Sequence, residues 1–157
     1  MERILVPDPA YELWVLIHQV DRAIYKARDV EIRSLGISPL QSGILFLLKF
    51  ADRPVPLNEI ATWLVREPHT ISELITRMEK QGLVKRVKQR GNNQTLGATL
   101  TSKGKEIYLA QVERRNVIES ILSILSSEEV ECLKTCLHKL RERALDQMVT
   151  RSDLPFP

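Results

Sequence analysis

From Leu57 to Leu100 the apolar residues change their period once, and that change limits the folds open to the chain more than any other feature. Up to Gly82 they recur at helical spacing, Leu57, Ile60, Ala61 and Leu64 on a short segment and Ile71, Leu74, Ile75 and Met78 on a second. The turn Val65-Arg66-Glu67-Pro68 separates the two, because proline disfavours helix in the residue before it. Gly82 is suited to terminating the second helix. Beyond it, Leu83-Val84-Lys85-Arg86-Val87-Lys88 has strand composition, Gly91-Asn92-Asn93 supplies a turn, and Thr95 to Leu100 supplies a returning strand.

Long amphipathic helices flank this centre. Residues 9–33 carry Leu13, Ile17, Val20, Ile24 and Ala27 at alternating spacings of four and three, widened by Trp14, Leu16 and Ala23, and Gly36 ends the run. Ser38-Pro39 has the pattern of an N-cap followed by proline at the first helical position. It opens a helix from Leu40 to about Phe50 that is apolar almost all round, and is therefore expected to be central and buried. After the hairpin, Thr101-Ser102-Lys103-Gly104 introduces a helix predicted over roughly 102–125. Ser126-Ser127-Glu128-Glu129 is a capping box for a last helix, whose Val130, Leu133, Leu137, Leu140, Ala144 and Met148 form a three-four repeat. With only six glycines in 157 residues, sandwiches, barrels and doubly wound folds are disfavoured, since their many turns consume glycine. The expected class is mainly α with a small β-hairpin wing, a winged helix-turn-helix flanked by N- and C-terminal dimerisation helices. The boundaries are 1–37 for an N-terminal arm, 38–104 for the winged helix, 105–149 for C-terminal helices and 150–157 for a loosely ordered tail. The outer stripes exceed what a lone winged helix can cover, so Leu13, Val20, Leu133, Leu137, Leu140 and Ala144 are assigned to a dimer interface.

Composition narrows the function. Apolar residues at 43% and charged residues at 27% supply a core and a solvated surface, which excludes extensive disorder. No run approaches the ~18 apolar residues of a membrane span. The apolar stretch within Met1–Pro7 is too short for a signal peptide, and two cysteines four residues apart make no disulfide framework, so a cytoplasmic protein is expected. The net charge of +3 is unevenly spread. From Arg66 to Lys105 nine basic residues face three acids, a surplus of six, and the remainder of the chain is correspondingly acidic at −3. Such asymmetry is the footprint of a nucleic-acid binder.

Several segments carry a family resemblance: Ser38-Pro39-Leu40-Gln41, Leu57-Asn58-Glu59-Ile60-Ala61, Met78-Glu79-Lys80-Gln81-Gly82-Leu83-Val84 and Leu100-Thr101-Ser102-Lys103-Gly104. In their order and spacing they resemble the MarR (multiple-antibiotic-resistance regulator) family, and the flanking helices extend the likeness to nearly the whole chain. The resemblance implies a homodimeric transcriptional regulator, more often a repressor, binding a pseudo-palindromic operator in double-stranded DNA and relieved by a small aromatic or lipophilic effector. It also implies a pocket where the dimerisation helices meet the reading head, for which Trp14, Ile17, His18, Phe46, Phe50, Trp63 and Tyr108 are the candidate lining; the same residues would serve as core. One departure is plain. Where many members carry an acid and one or two arginines near the wing tip, this chain has Asn92, Asn93 and Gln94, leaving Arg90 to supply the cation.

Helix 68–81 can be oriented from its own periodicity. Opposite the apolar residues lie His69, Glu73, Thr76 and Lys80, flanked by Thr70, Ser72 and Arg77. Small hydroxyls let a helix approach the major-groove floor, and arginine reaches guanine or phosphate. Glu73 accepts from a cytosine amino group or orients Arg77 four residues on. The wing residues Lys85, Arg86, Lys88, Arg90, Asn92, Asn93 and Gln94, with Lys103 and Lys105 beyond, suit the DNA backbone better than base reading. The alternative from another class is a winged-helix interaction module whose basic strip meets an acidic protein partner.

Other constellations point to no chemistry. His18, His69 and His138 lie far apart without metal-ligand spacing, and His18 reads as an interior or pocket histidine. Cys132 and Cys136 flank the last stripe and are expected to be partly buried at a dimer contact. With no phosphate-binding glycine loop and no nucleophile motif, the sequence predicts neither enzyme, cofactor nor metal site.

Overall fold

A computed structural model of the chain describes residues 8–88 and 96–148. Asp8 caps the long N-terminal helix α1 (Pro9–Ile32), which runs into one 3-10 turn (Arg33–Leu35) and stops at Gly36 with φ +69°. Helix α2 (Pro39–Ala51) starts on a capping box in which Ser38 and Gln41 satisfy each other's backbone N–H groups. A two-residue strand β1 (Val55–Pro56) leads into the short helix α3 (Leu57–Trp63), then α4 (Pro68–Lys80) and strands β2 (Val84–Lys88) and β3 (Leu96–Leu100). Helices α5 (Ser102–Glu113), α6 (Asn116–Leu122) and α7 (Ser127–Gln147) complete the described chain. No single helix among the described residues is long and apolar enough to cross a membrane.

The core joins α2, α3, α4 and the sheet, through Ile44, Leu45, Leu47, Ile60, Ile71, Ile75, Met78, Val84 and Ala98. The apolar face of α4 assigned from periodicity is the face that is buried. Three expectations need correcting. The hairpin is part of a three-stranded antiparallel sheet, because β1 pairs with β3 through Val55 and Ala98; two residues are too few to signal a strand in sequence. Helix α2 is not buried all round: Phe46 and Phe50 are exposed, their rings 4.4 Å apart, because the core takes its opposite side. His18 is exposed on α1, stacked against Trp14 at 6.5 Å, rather than interior. Within the single chain Cys132 and Cys136 are exposed, and α7 buries none of its residues.

The helix predicted over 102–125 is also interrupted, at Arg114 and Arg115, although no glycine or proline marks the spot. Helix α1 breaks it. The Arg28 guanidinium donates to the carbonyls of Gln111, at 3.0 Å, and Arg114, while Arg114 itself reaches the Ser34 hydroxyl. Glu31 pairs with Arg28 at 2.5 Å and accepts from the Val117 N–H at 2.9 Å, capping the start of α6. These bonds replace the intrahelical ones that a continuous helix would use.

Candidate nucleic-acid interface

Helix α4 meets solvent along one side. No side chain caps its N-terminus, where Pro68 occupies the first turn. His69, Ser72, Glu73, Arg77 and Lys80 are exposed, and Thr70 is half-buried. Glu73 and Arg77 form no ion pair with each other, so the expected orienting contact is not made in the free protein. The Thr76 hydroxyl is engaged: it donates to the Ser72 carbonyl at 2.8 Å and accepts from Arg86. A shallow hollow of about 340 Å³ beside this surface is lined by Leu57, Asn58, Pro68, His69, Ser72 and Leu96. Asn58 thus shares the surface with His69 and Ser72, a role its isolated position in the sequence did not signal.

The wing base divides by side. Lys85 and Lys88 are exposed, whereas Arg86 is half-buried and turned back onto α4. Its guanidinium pairs with Glu79 at 3.5 Å and reaches Thr76, and its N–H donates to the Glu79 carboxylate at 3.0 Å. Arg86 therefore anchors the wing to the helix instead of standing free like its neighbours. Lys103 likewise donates to the Gln81 carbonyl at 2.8 Å, complementing the C-terminal end of α4, and Lys105 is exposed. Arg90, Asn92, Asn93 and Gln94 lie outside the described residues.

The head is tied to the rest of the chain at two points. Buried Gln41 donates to the Gln81 side chain at 2.8 Å, linking the start of α2 to the end of α4. The Thr101 hydroxyl accepts from Gly104 N–H at 3.0 Å and donates to the Gly82 carbonyl at 2.5 Å, linking the start of α5 to the end of the same helix. The C-terminal end of the reading helix thus has a defined position relative to the starts of α2 and α5.

The candidate pocket residues fall into separate groups. Phe46, Phe50 and Tyr108 line a cleft of about 530 Å³ with Arg28, Ser42 and Gln111. Trp63 stacks on Phe46 at 6.3 Å without lining that cleft. Trp14, Ile17 and His18 are exposed on α1 and are not brought to it. The polar members Arg28, Ser42 and Gln111 were missed, because each stands on a helix whose other residues gave the stronger apolar signal. The Gln111 amide donates to the Ser42 carbonyl at 3.3 Å. The interface candidates Leu13, Val20, Leu133, Leu137, Leu140 and Ala144 are all exposed in the single chain, Leu137 to 48%.

A helix-turn-helix whose second helix exposes a polar, basic side, with a β-hairpin alongside, is a winged helix-turn-helix, the architecture of DNA-binding transcriptional regulators. The solved structures most like it include the organohalide-sensing RdhR-CbdbA1625 transcriptional regulator in its 2,4-dichlorophenol-bound form. That protein is 28% identical, with a TM-score of 0.82 over 100% of this chain and 99% of the other. Sco5413, a MarR family transcriptional regulator from Streptomyces coelicolor, is 25% identical with a TM-score of 0.76 over 89% and 98%. A mutant MarR from E. coli complexed with operator DNA shares the fold, with a TM-score of 0.76 at 20% identity over 85% and 99%. Among curated proteins, the uncharacterized HTH-type transcriptional regulator YybA of Bacillus subtilis (strain 168) is 27% identical over 128 residues, 80% of this chain and 84% of that protein. The chain belongs to the MarR family of transcriptional regulators, and its residues 29–126 match the family model described as methanogenesis regulatory protein FilR1, N-terminal domain. These relatives are regulators rather than enzymes.

Proposed function

We propose that the protein acts in the cytoplasm as a homodimeric repressor, with α4 of each subunit in the major groove of one half of a pseudo-palindromic operator. The observation that carries this reading is the two-sided character of α4. Ile71, Leu74, Ile75 and Met78 fix its inner face in the core, and His69, Ser72, Glu73, Arg77 and Lys80 stand free on the other. Arg77 is the base reader, and Lys85 and Lys88 contact phosphate. The exposed stripes of α1 and α7 are covered by a second copy, which places the two heads about one helical turn of DNA apart. The aromatic cleft between α2 and α5 takes a small lipophilic effector, in the manner of the relative that binds 2,4-dichlorophenol. Binding there stabilises a head spacing that does not match the operator, a shift of population between two geometries.

Titrating the protein against duplexes from upstream of its own gene, from 50 to 200 mM salt, tests the reading. Six to ten phosphate contacts would weaken binding by about 10³–10⁵ over that range. Salt-independent binding, or preference for an acidic protein over every duplex, would overturn it.

A further inference from the structure

Free cysteine is among the most buried residue types, yet Cys132 and Cys136 are both exposed on α7, neither in a disulfide. Four residues apart, they stand one above the other on one side of the helix, with β-carbons about 5–6 Å apart. At about 100° per residue, Cys136 lies about 40–120° and Cys132 about 80–160° round α7 from the members of the stripe Val130, Leu133, Leu137, Leu140 and Ala144. Glu129, Lys139 and Arg143 share the side of the thiols. The thiols therefore flank the apolar stripe without belonging to it.

Three uses are open to a pair so held. A disulfide needs β-carbons about 3.5–4.5 Å apart, closer than a helical turn brings them, so oxidation within the chain requires α7 to unwind. A zinc-type site needs about four ligands, and no group of three or more histidine, cysteine or acidic residues able to hold a metal occurs among the described residues. A centre that takes two sulfurs needs neither. Bonds of about 2.3 Å to each sulfur, meeting at the roughly 90–105° angle of a pyramidal trivalent centre, place the sulfurs about 3.3–3.6 Å apart, a span that rotation about the two Cα–Cβ bonds can reach on an intact helix.

We propose that Cys132 and Cys136 form a two-thiol capture site for a soft electrophilic centre, best matched by a monosubstituted trivalent arsenical. Such a reagent, R–As=O, offers two exchangeable positions. Each thiol forms one As–S bond, the two S–H protons leave with the oxygen as water, and no electrons are transferred. The site rests on α7 alone, beside the stripe that the proposed second copy covers, and requires that the dimer leave both thiols accessible.

The test uses the full chain, phenylarsine oxide as probe, and intact mass together with thiol titration. One phenylarsenic group per chain is expected, with both thiols lost to titration and recovered on adding 2,3-dimercaptopropanol. Cys132→Ser and Cys136→Ser should each lower affinity by about 10²–10⁴, since a second attachment within one molecule contributes a gain of that size. Spacing is tested by moving the second thiol. Glu128→Cys combined with Cys136→Ser restores the four-residue interval and should restore tight capture. Lys134→Cys combined with Cys136→Ser places the thiols about 200° apart round the helix and should not. Unchanged affinity in either single variant, equal capture by both relocated pairs, one probe per two chains, or no capture at micromolar probe would each overturn the proposal. All four positions are exposed, so each variant is expected to retain the helical circular dichroism of the parent.

Discussion

Replacing Gly104 by alanine sets two effects of opposite sign against each other. Gly104 lies in the first turn of α5, and its φ is outside the left-handed range, so propensity alone predicts that alanine stabilises the helix by about 1 kcal/mol. Packing predicts the reverse. A β-carbon at Gly104 would stand 2.0 Å from the Leu83 carbonyl oxygen and 3.0 Å from its carbon. Carbon and oxygen approach no closer than about 3.3 Å in even the favourable contacts, so the two segments must part by roughly an ångström. The Leu83 oxygen accepts from the Thr101 N–H at 3.1 Å, while the Thr101 hydroxyl, whose one proton is directed to the Gly82 carbonyl at 2.5 Å, caps α5. One hydrogen bond at about 1 kcal/mol, a cap at about 1 and overpacking strain of about 1–3 outweigh the propensity gain of about 1. Net destabilisation of about 2–4 kcal/mol is expected, or at least about 0.7 M in the urea midpoint at an m-value of about 1–3 kcal/mol/M. Gly43→Ala is the control, because a β-carbon there meets only the Leu64 Cδ2 atom at 3.4 Å. Its midpoint should hold or rise. An unchanged or higher midpoint for Gly104→Ala would refute the close approach of wing base and α5.

Arg77→Ala should cost about 1–3 kcal/mol of operator affinity and relax specificity at one base position, whereas Lys88→Ala should weaken all duplexes alike and lower the salt slope by about one; footprinting and salt titration distinguish them. Leu137→Asp with Leu140→Asp should give monomers or unfolded chain, and a well-folded dimer by sedimentation would rule out the α7 interface. Phe46→Ala should abolish the effector release of DNA proposed for the α2–α5 cleft, with 2,4-dichlorophenol as the probe, at a stability loss well below the ~3–5 kcal/mol of a core phenylalanine, because Phe46 is 41% exposed; a full core-sized loss in denaturant would make it a packing residue. Backbone hydrogen bonding at the start of α7, aided by the Ser126 side chain, holds the Glu128 carboxyl below its ordinary value. The stabilisation it supplies is present above the unfolded carboxylate pKa and is lost as pH falls through the lower folded value, which carboxyl NMR titration can follow.

The elements legible in sequence are those whose causes lie within a turn or two of chain. The Ser126–Glu129 capping box, proline after Ser38, Gly82 beyond the end of α4 and the inward face of that helix were read from residues three or four apart. The polar, basic character of the opposite face followed from the same periodicity, so most of the exposed residues of α4 were legible too. What only the tertiary structure decided depends on groups far apart in sequence. Strand β1 exists because Val55 meets Ala98, and the break after Glu113 exists because Arg28 and Glu31, more than 80 positions earlier, bind its backbone. In sequence Arg86 is one more wing cation, but in the fold Glu79 and Thr76 hold it, and within one chain the predicted pocket divides because Trp14 and Tyr108 ride on helices whose packing no local pattern encodes. Hydrophobic period and caps act through neighbours on one helix, whereas hydrogen bonds between elements depend on where the folded core places their ends.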